Sequence, residues 1–505
     1  MDVKAKANIG TISIGGQSLD FPVYQGQNER SQNKMKTLAQ FIAILAISLL
    51  ASINTLRAAE PNNGAKYIDL SDQKIKEIVQ RSYQYVAMYN VNQKMAFAEE
   101  GVTTKGYNKG MRKTELLDHT VQFIARPNND VLYQLAMLDL RKDAIVFEIP
   151  AIDSKFVSMM ATGYDHYVNI PASTVDGPFD KPQTILFYTA RTDLYKGEDI
   201  KGIDKKVEMT GDFVSLVMRV MPHANEPERY KRIVDQINAI KGMSLSEFLG
   251  KPAPEIDAVD FPPYGKTDAD TFENNLLEVM QFVFNHTTFD PDFELDRKVL
   301  ALYAPLGVEP GKEYNPVAKI DGKKFRKISI EVRDEEIAKL NNDKLMARLL
   351  PTVYQPKGKA GLESLLLVSV VGPIGQPTRE AMYPPITTED GSSMNALHDY
   401  VISMTKDELP PANAFWSFTL YDAVKGFFIP NKYKKYSVGE NAGRKLNEDG
   451  GIDIYIAAQK PAGVPAENWL PIKREDEELT VTLRIYAPDL EKMKTWKAPK
   501  AERLK

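Results

Sequence analysis

Two blocks of short apolar runs, broken by proline, glycine, asparagine and aspartate, leave this chain few folds to adopt. In the first block, about 115–220, the runs are VLYQLAMLDL (131–140), AIVFEIP (144–150), FVSMMATGYD (156–165), TILFYTA (184–190) and DFVSLVMRVM (212–221). In the second, about 360–490, they are LLLVSVV (365–371), FWSFTLYD (415–422), GFFIP (426–430), IDIYIAA (452–458) and LTVTLRIYAP (479–488). Repeated short strands with turn signals between them predict a β-sandwich-like module in the first block. The second block predicts another sandwich or a jelly roll.

Between and before these blocks the spacing becomes helical. Ile75, Ile78, Val79, Ser82, Tyr83 and Val86 share one face of a helix over 71–87, capped by Ser71 or Asp72. Pro227 suits a first helical turn ahead of YKRIVDQINAI (230–240). Ser244 and Ser246 precede FLG, and Asp268 or Asp270 opens TFENNLLEVMQFVFNH (271–286). Asp290 and Pro291 form an N-cap and first-turn pair ahead of FELDRKVLALY (293–303), and a further helix covers 332–349. The expected class is multidomain α+β, with two sandwich- or jelly-roll-like modules around a mostly helical middle domain. At roughly 100–200 residues per domain, a chain of 505 residues holds several. The expected boundaries are 65–222, 223–350 and 351–500.

The N-terminus is composite. Residues 35–58, MKTLAQFIAILAISLLASINTLRA, combine a basic start at Lys36 with an apolar run, Phe41 to Leu50, in which only Ser48 is polar. This is the secretory-signal pattern, and it places the mature protein in the periplasm or outside the cell. Cutting after Ala58 leaves Leu56 where a small residue is usual, so an uncleaved anchor and a buried helix stay open as alternatives. No later stretch is long and apolar enough to span a membrane. Ahead of the signal, 11–26 has Ile12 and Ile14 alternating with polar residues and Gly15-Gly16 at the turn, which predicts a hairpin. It resembles the opening hairpin of citrate synthases, and nothing after Gly26 continues that resemblance. Residues 1–34 are read as an extraneous extension.

Composition removes several functions. Lys and Arg number 64 against 68 Asp and Glu, so no basic surface of the kind nucleic acid requires is expected. The absence of cysteine excludes disulfides, thiolate metal sites and cysteine nucleophiles. The chain has no GxSxG, GxGxxG or GxxxxGKS sequence, and His119, His166, His223, His286 and His398 make no HExxH or HxH spacing. No metal and no cofactor is expected. Asp449-Gly450 reads as a hairpin turn in preference to a calcium loop, because the glycine follows too early for an EF-hand. His286 ends a helix, where a cation is favoured by the dipole.

The candidate pocket residues lie in three places. Arg126, Asn128, Asn129, Asp130 and Tyr133 surround Pro127 just before an apolar strand. They form either a structural turn or a pocket wall in which Asp130 is a base and Arg126 an anion clamp. Asp165, His166 and Asn169, with Tyr167, follow another strand, where Asp165 and His166 would point to opposite faces as solvated polar groups or line a cleft. In 414–422 alternation puts Phe415, Ser417, Thr419 and Tyr421 on one face and Trp416, Phe418 and Leu420 on the other. Trp416 is either core or a sugar-stacking platform. Arg219 and Tyr421 complete the set.

RPNNDVLY (126–133) resembles the signature of domain-of-unknown-function family 1254. Phe415-Trp416-Ser417, Tyr421-Asp422, 453–456 (DIYI), 468–471 (NWLP) and 484–486 (RIY) resemble family 1214. The chain departs at 449–451, where Gly451 stands in place of the more usual serine. The resemblance spans roughly 65–500 and implies an exported bacterial protein with a sandwich module, a helical domain and a jelly roll, but it assigns no residue a role. The resulting expectation is a binding protein for a small polar or carbohydrate ligand, with a hydrolase or lyase working between domains as the alternative. Homo-oligomerisation follows only by analogy with other jelly rolls.

Overall fold

The computed structural model describes residues 66–505, apart from 100, 123–124, 316–317 and 505, and the backbone of two strands near the N-terminus. The chain divides into two compact units, Met1–Ala65 and Lys66–Lys505. In the first, Asn8–Ile14 pairs antiparallel with Gln17–Val23, and Ile14 stands opposite Gln17, the register that the glycine pair predicts. The segment 35–58, read as a secretion signal, lies outside the described residues. No helix among the described residues is long and apolar enough to cross a membrane.

The second unit is a mixed α+β fold with several sheets. After the two-residue strand Lys66–Tyr67 comes helix α1 (Asp72–Phe97). The first apolar block then supplies β1 (Lys109–Lys113), β2 (Leu132–Asp139), β3 (Ile145–Ile149), β4 (Val157–Thr162), β5 (Val168–Ser173), β6 (Gln183–Thr189), β7 (Lys205–Met209) and β8 (Phe213–Val220). Helix α2 (Pro227–Asn238) and β9 (Lys241–Ser244) follow. A five-stranded sheet runs β1-β2-β8-β4-β5 and a four-stranded sheet β7-β6-β3-β9. Side-chain alternation decides what each face meets. Val214, Leu216, Met218 and Val220 of β8 share a core with Ile145 and Phe147 of β3, Ile185 and Phe187 of β6, and Ile233 and Ile237 of α2. Val217, with Leu135 and Met137 of β2 and Met160 of β4, faces the other way and meets Ala96 of α1. Burial on both faces explains why these strands read as unbroken apolar runs.

Helices gather beside this sheet. Ser71 caps α1 by accepting from the Lys74 N–H at 3.3 Å. The helix continues to Phe97, ten residues beyond the expected Ala87, with Tyr89 and Ala96 buried in the core and the polar residues between them bonded to distant segments. Asn90 Oδ1 accepts from the Gly265 N–H at 3.0 Å, and Gln93 Nε2 donates to Tyr164 OH at 3.0 Å. The apolar face of α1 buries Ile75, Ile78, Val79, Tyr83 and Val86 against Phe272, Val279, Phe325 and Val332.

The remaining helices correct several boundaries. After α3 (Leu245–Phe248), capped by Ser244, the expected helix over 271–286 is two: α4 (Asp268–Asn274) and α5 (Leu276–Asn285). The chain breaks at Asn275, φ −153°, and the cap is Thr267, whose capping box with Asp270 outcompetes the aspartates. Asp290-Pro291 forms a turn, and α6 (Glu294–Tyr303) starts after Phe293. The helix expected over 332–349 is α7 (Gly322–Lys339) and α8 (Asp343–Leu349). LLLVSVV, expected to be a strand, is part of α9 (Leu362–Val371). An apolar run without alternation fits a buried helix equally well, and Ser369 donates back to the Leu365 carbonyl at 2.7 Å.

The second block supplies β10 (Tyr400–Met404), β11 (Ala412–Asp422), β12 (Ser437–Gly439), β13 (Ile452–Ala457), β14 (Trp469–Pro471) and β15 (Glu478–Pro488). β11 and β15 pair antiparallel, Ser417 opposite Arg484 and Phe415 opposite Tyr486. β10, β13 and β14 lie in a second sheet, and the two sheets share a core of Ile402, Ile454, Trp416, Phe418, Leu483 and Ile485. Two strand expectations fail here. GFFIP forms only a single bridge, Phe428 to Tyr421. Asp449-Gly450 is a turn, with Gly450 at φ +86°, but β13 pairs with β10 and β14 and not with β12, the strand directly before the turn. Phe418 is fully buried, so Phe418→Ala should cost about 3–5 kcal/mol. Urea unfolding should show a lower midpoint at unchanged slope.

Candidate functional site

The 126–133 segment runs from the second pair of sheets into β2 and is bonded to both. Arg126 takes φ +51°, and its N–H donates to the Gly426 carbonyl at 2.7 Å. Its own carbonyl accepts from Arg484 at 3.2 Å, while the side chain is on the exposed surface. The Pro127 carbonyl accepts from Tyr421 OH at 2.6 Å. Asn128 bridges the turn, its Oδ1 taking the Asp130 N–H at 2.7 Å and its Nδ2 donating to Tyr486 OH at 2.8 Å. Asn129 reaches Ser437 at 3.4 Å, and Asn441 donates to the Asp130 carbonyl at 2.5 Å.

The Asp130 carboxylate is buried at the centre. Its Oδ2 accepts from Ser417 Oγ at 2.5 Å and Tyr486 OH at 3.1 Å. Burial pushes its pKa up, against the field of Arg484 and these two hydrogen bonds. Arg484, also buried, donates to Thr419 Oγ1 at 2.9 Å and Tyr421 OH at 2.7 Å. The Tyr486 ring stacks on Phe415 with centroids 4.2 Å apart. Ser417, Thr419, Tyr421, Arg484 and Tyr486 all project from the face of β11 and β15 opposite the core.

A polar row borders this cluster. Strand register sets Tyr133, Arg219, Ser158 and Ser173 side by side across β2, β8, β4 and β5. The Arg219 guanidinium lies 5.7 Å from the Tyr133 ring centroid. Arg219 is 7% exposed, and its Nη1 meets no hydrogen-bond partner among the described residues. Gln376 donates to Ser158 at 2.6 Å and leaves its buried Oε1 unpaired. Glu380 accepts from Ser173 at 2.7 Å, and burial raises its pKa. Tyr383 lies within electrostatic reach of both row and cluster. It is half exposed as a residue, yet desolvation raises its phenol pKa, opposed by Arg219 and Arg484 and reinforced by Tyr133 and Asp130.

The remaining candidates lie elsewhere. Asp165 and His166 occupy a turn instead of a strand, His166 at φ +63°, and both are buried instead of solvated. His166 Nε2 donates to the Pro373 carbonyl and Nδ1 faces Ser369 Oγ, both at 2.8 Å; burial lowers its pKa to about 4. Neither Asp165 oxygen meets a donor at hydrogen-bond geometry among the described residues, and burial raises its pKa to about 6. Tyr167 is buried, and its hydroxyl meets no partner among the described residues. Asn169 pairs with Ala161 of β4, on the face opposite Arg219, and contacts Met209 Sδ at 3.8 Å. Trp416 is in the core, with the Arg444 guanidinium 4.5 Å over its ring. His286 caps the end of α5 and meets Asp212 at 2.9 Å.

Sequence reading missed Arg484, Tyr486, Tyr383, Gln376 and Glu380 as neighbours of Asp130 and Arg219. Alternation in 479–488 held a signal for two of them. Leu479, Val481, Leu483 and Ile485 are core, which turns Arg484 and Tyr486 to the face that carries Ser417.

No curated protein matches the chain. Among solved structures, the VPA0106 protein from Vibrio parahaemolyticus is similar in fold, with a TM-score of 0.64 at 22% identity over 85% of this chain and 100% of that one. An uncharacterized protein from Burkholderia cenocepacia aligns over 86% of this chain and 93% of its own, at 14% identity and a TM-score of 0.38. Residues 107–241 match the family described as protein of unknown function (DUF1254), and residues 380–490 match protein of unknown function (DUF1214). The Asp130 cluster is therefore built where a DUF1254 segment meets the DUF1214 segment that follows it in the chain.

Proposed function

We infer that this chain is an exported binding protein that takes a small anionic ligand, such as an organic acid or a sugar acid, at the junction of Tyr133, Arg219 and Tyr383. Arg219 carries the reading. A guanidinium desolvated without a carboxylate partner is costly, and a ligand carboxylate would supply the missing pair in bidentate form. Gln376 and Tyr383 add hydrogen-bonding groups beside it. Export rests on the segment 35–58, and the two pairs of sheets are read as the sandwich and jelly-roll modules. Assembly into homo-oligomers rests on analogy alone.

A hydrolase or lyase using Asp130 as acid or base is the second reading, favoured by its raised pKa. Against it, Oδ2 already takes two donors that hold the carboxylate in place.

A thermal-shift screen against dicarboxylates, uronic acids, phosphate and neutral sugars tests the reading. A ligand at a hundredfold its Kd stabilises by about 2.7 kcal/mol, so the midpoint should rise by several degrees. Arg219→Gln should abolish that rise and leave the unliganded protein as stable as before, or more stable by about 1 kcal/mol, because an unpaired buried charge is removed. An arginine with a structural role would instead lower the unliganded midpoint. If neutral sugars shift wild type and variant equally, the anionic ligand is the wrong class.

A further inference from the structure

A cavity of about 470 Å³ lies between the two sheets of the DUF1254 segment, at the edge where β1 faces β9. Its size is within the range of small-molecule sites. Ala136, Leu138, Ile145, Phe147, Leu216 and Met218 line its body, so the interior is apolar and continuous with the core. The exposed residues Lys109, Arg112 and Gly242 mark its mouth, and Ile256, on the extended segment after α3, lies across it. Gly242 packs directly on the Phe147 ring: a Cβ there would come to 3.0 Å from it.

One end of this apolar space is polar in a specific way. Arg112 and Gln134 stand opposite each other in the β1–β2 register. Both amide atoms of Gln134 are buried without a partner among the described residues. Arg112 spends one nitrogen on the Ile240 carbonyl, a bond that bridges the two sheets at the mouth. The two lining carboxylates do not compete for it. Asp143 accepts from the Ala144 and Ser246 N–H groups, and Glu247 belongs to the Ser244 capping box.

We propose that this cavity binds a fatty acid, its chain between the sheets and its carboxylate at Arg112 and Gln134. The guanidinium supplies the charge and the Gln134 amide a further donor, while the core side chains of β2, β3 and β8 take the methylenes. The site is independent of Arg219, which projects from the opposite face of β8.

The test is titration of the delipidated full chain with cis-parinaric acid, a fluorescent fatty acid, below its micelle concentration, followed by displacement with dodecanoate or dodecanol. Wild type should bind the probe saturably, one per chain. Ala136→Phe, which fills the cavity, should weaken the probe by at least about tenfold. Arg112→Ala should weaken dodecanoate by about tenfold and leave dodecanol within about twofold, because only the carboxylate uses the charge. Arg112 is exposed, so this variant keeps the comparison valid if Ala136→Phe fails to fold. Absence of saturable binding, wild-type affinity in a folded Ala136→Phe, or equal losses of dodecanoate and dodecanol in Arg112→Ala each overturn the proposal.

Discussion

Arg484→Ala should destabilise the second unit by about 3–5 kcal/mol, among the larger effects available to a single side chain. Arg484 is the cation that faces the buried Asp130, and it also bonds Thr419, Tyr421 and the Arg126 carbonyl. Removing it leaves a buried carboxylate with two neutral donors and no facing cation. Urea unfolding at neutral pH reads the loss directly, and the penalty should shrink in acid. Without its cation Asp130 takes up a proton more readily, and the neutral acid needs no counter-charge. Asp130→Asn should be milder, since the amide oxygen still accepts from Ser417. A loss below about 1 kcal/mol in Arg484→Ala would mean that the network is not stabilised by charge.

The second large effect is in the pH dependence, where two neighbours act in opposite directions. Asp165 has its pKa raised to about 6 by burial. The folded protein therefore holds the proton more tightly than the unfolded chain, and stability falls as pH rises from about 4 to about 6. The shift of roughly two units corresponds to about 3 kcal/mol. His166 has its pKa lowered to about 4 by burial. Here the unfolded chain binds the proton more tightly, and stability rises with pH from about 4 to about 6.5, by a similar amount. In wild type the two slopes largely cancel. Asp165→Asn should unmask the rise and make the protein more stable than wild type at pH 7. His166→Asn, which suits the positive φ, should unmask the fall. Chemical denaturation of all three proteins across pH 4–7 measures the differences. Parallel profiles would mean that neither group is desolvated in solution.

The sequence was most legible where local periodicity and tertiary environment agree. Ser71 capped its helix, and alternation in 415–421 separated Trp416, Phe418 and Leu420, which are core, from Ser417 and Tyr421 on the opposite face. It was least legible where a distant partner decides the outcome. Helix α1 outlasts the expected Ala87 because Tyr89 and Ala96 reach the core and Asn90 and Gln93 find partners at Gly265 and Tyr164. In LLLVSVV, Leu365 to Ser369 are buried one after another, which erases the periodicity that separates helix from strand. The polar motif 126–133 signalled something unusual, but the groups that give it meaning, Arg484 and Tyr486, arrive more than three hundred residues later. Asp165 and His166 looked like solvated polar residues at a strand end, and only packing against the 369–373 stretch and the helices buries them.

That separation along the chain has a kinetic consequence. Asp130 and Asn128 cannot complete their hydrogen bonds until β15 has been synthesised, and β15 ends at Pro488. Loop closure over such a span is entropically uphill before any contact rewards it, so folding of this unit should be slow compared with local-contact proteins. Until then Arg484 and Tyr486 are missing from the cluster, and the nascent chain lacks the cation that favours burying the Asp130 carboxylate. The last long strand thus acts as a checkpoint: the junction closes only on a chain whose C-terminal segment is present and correctly paired.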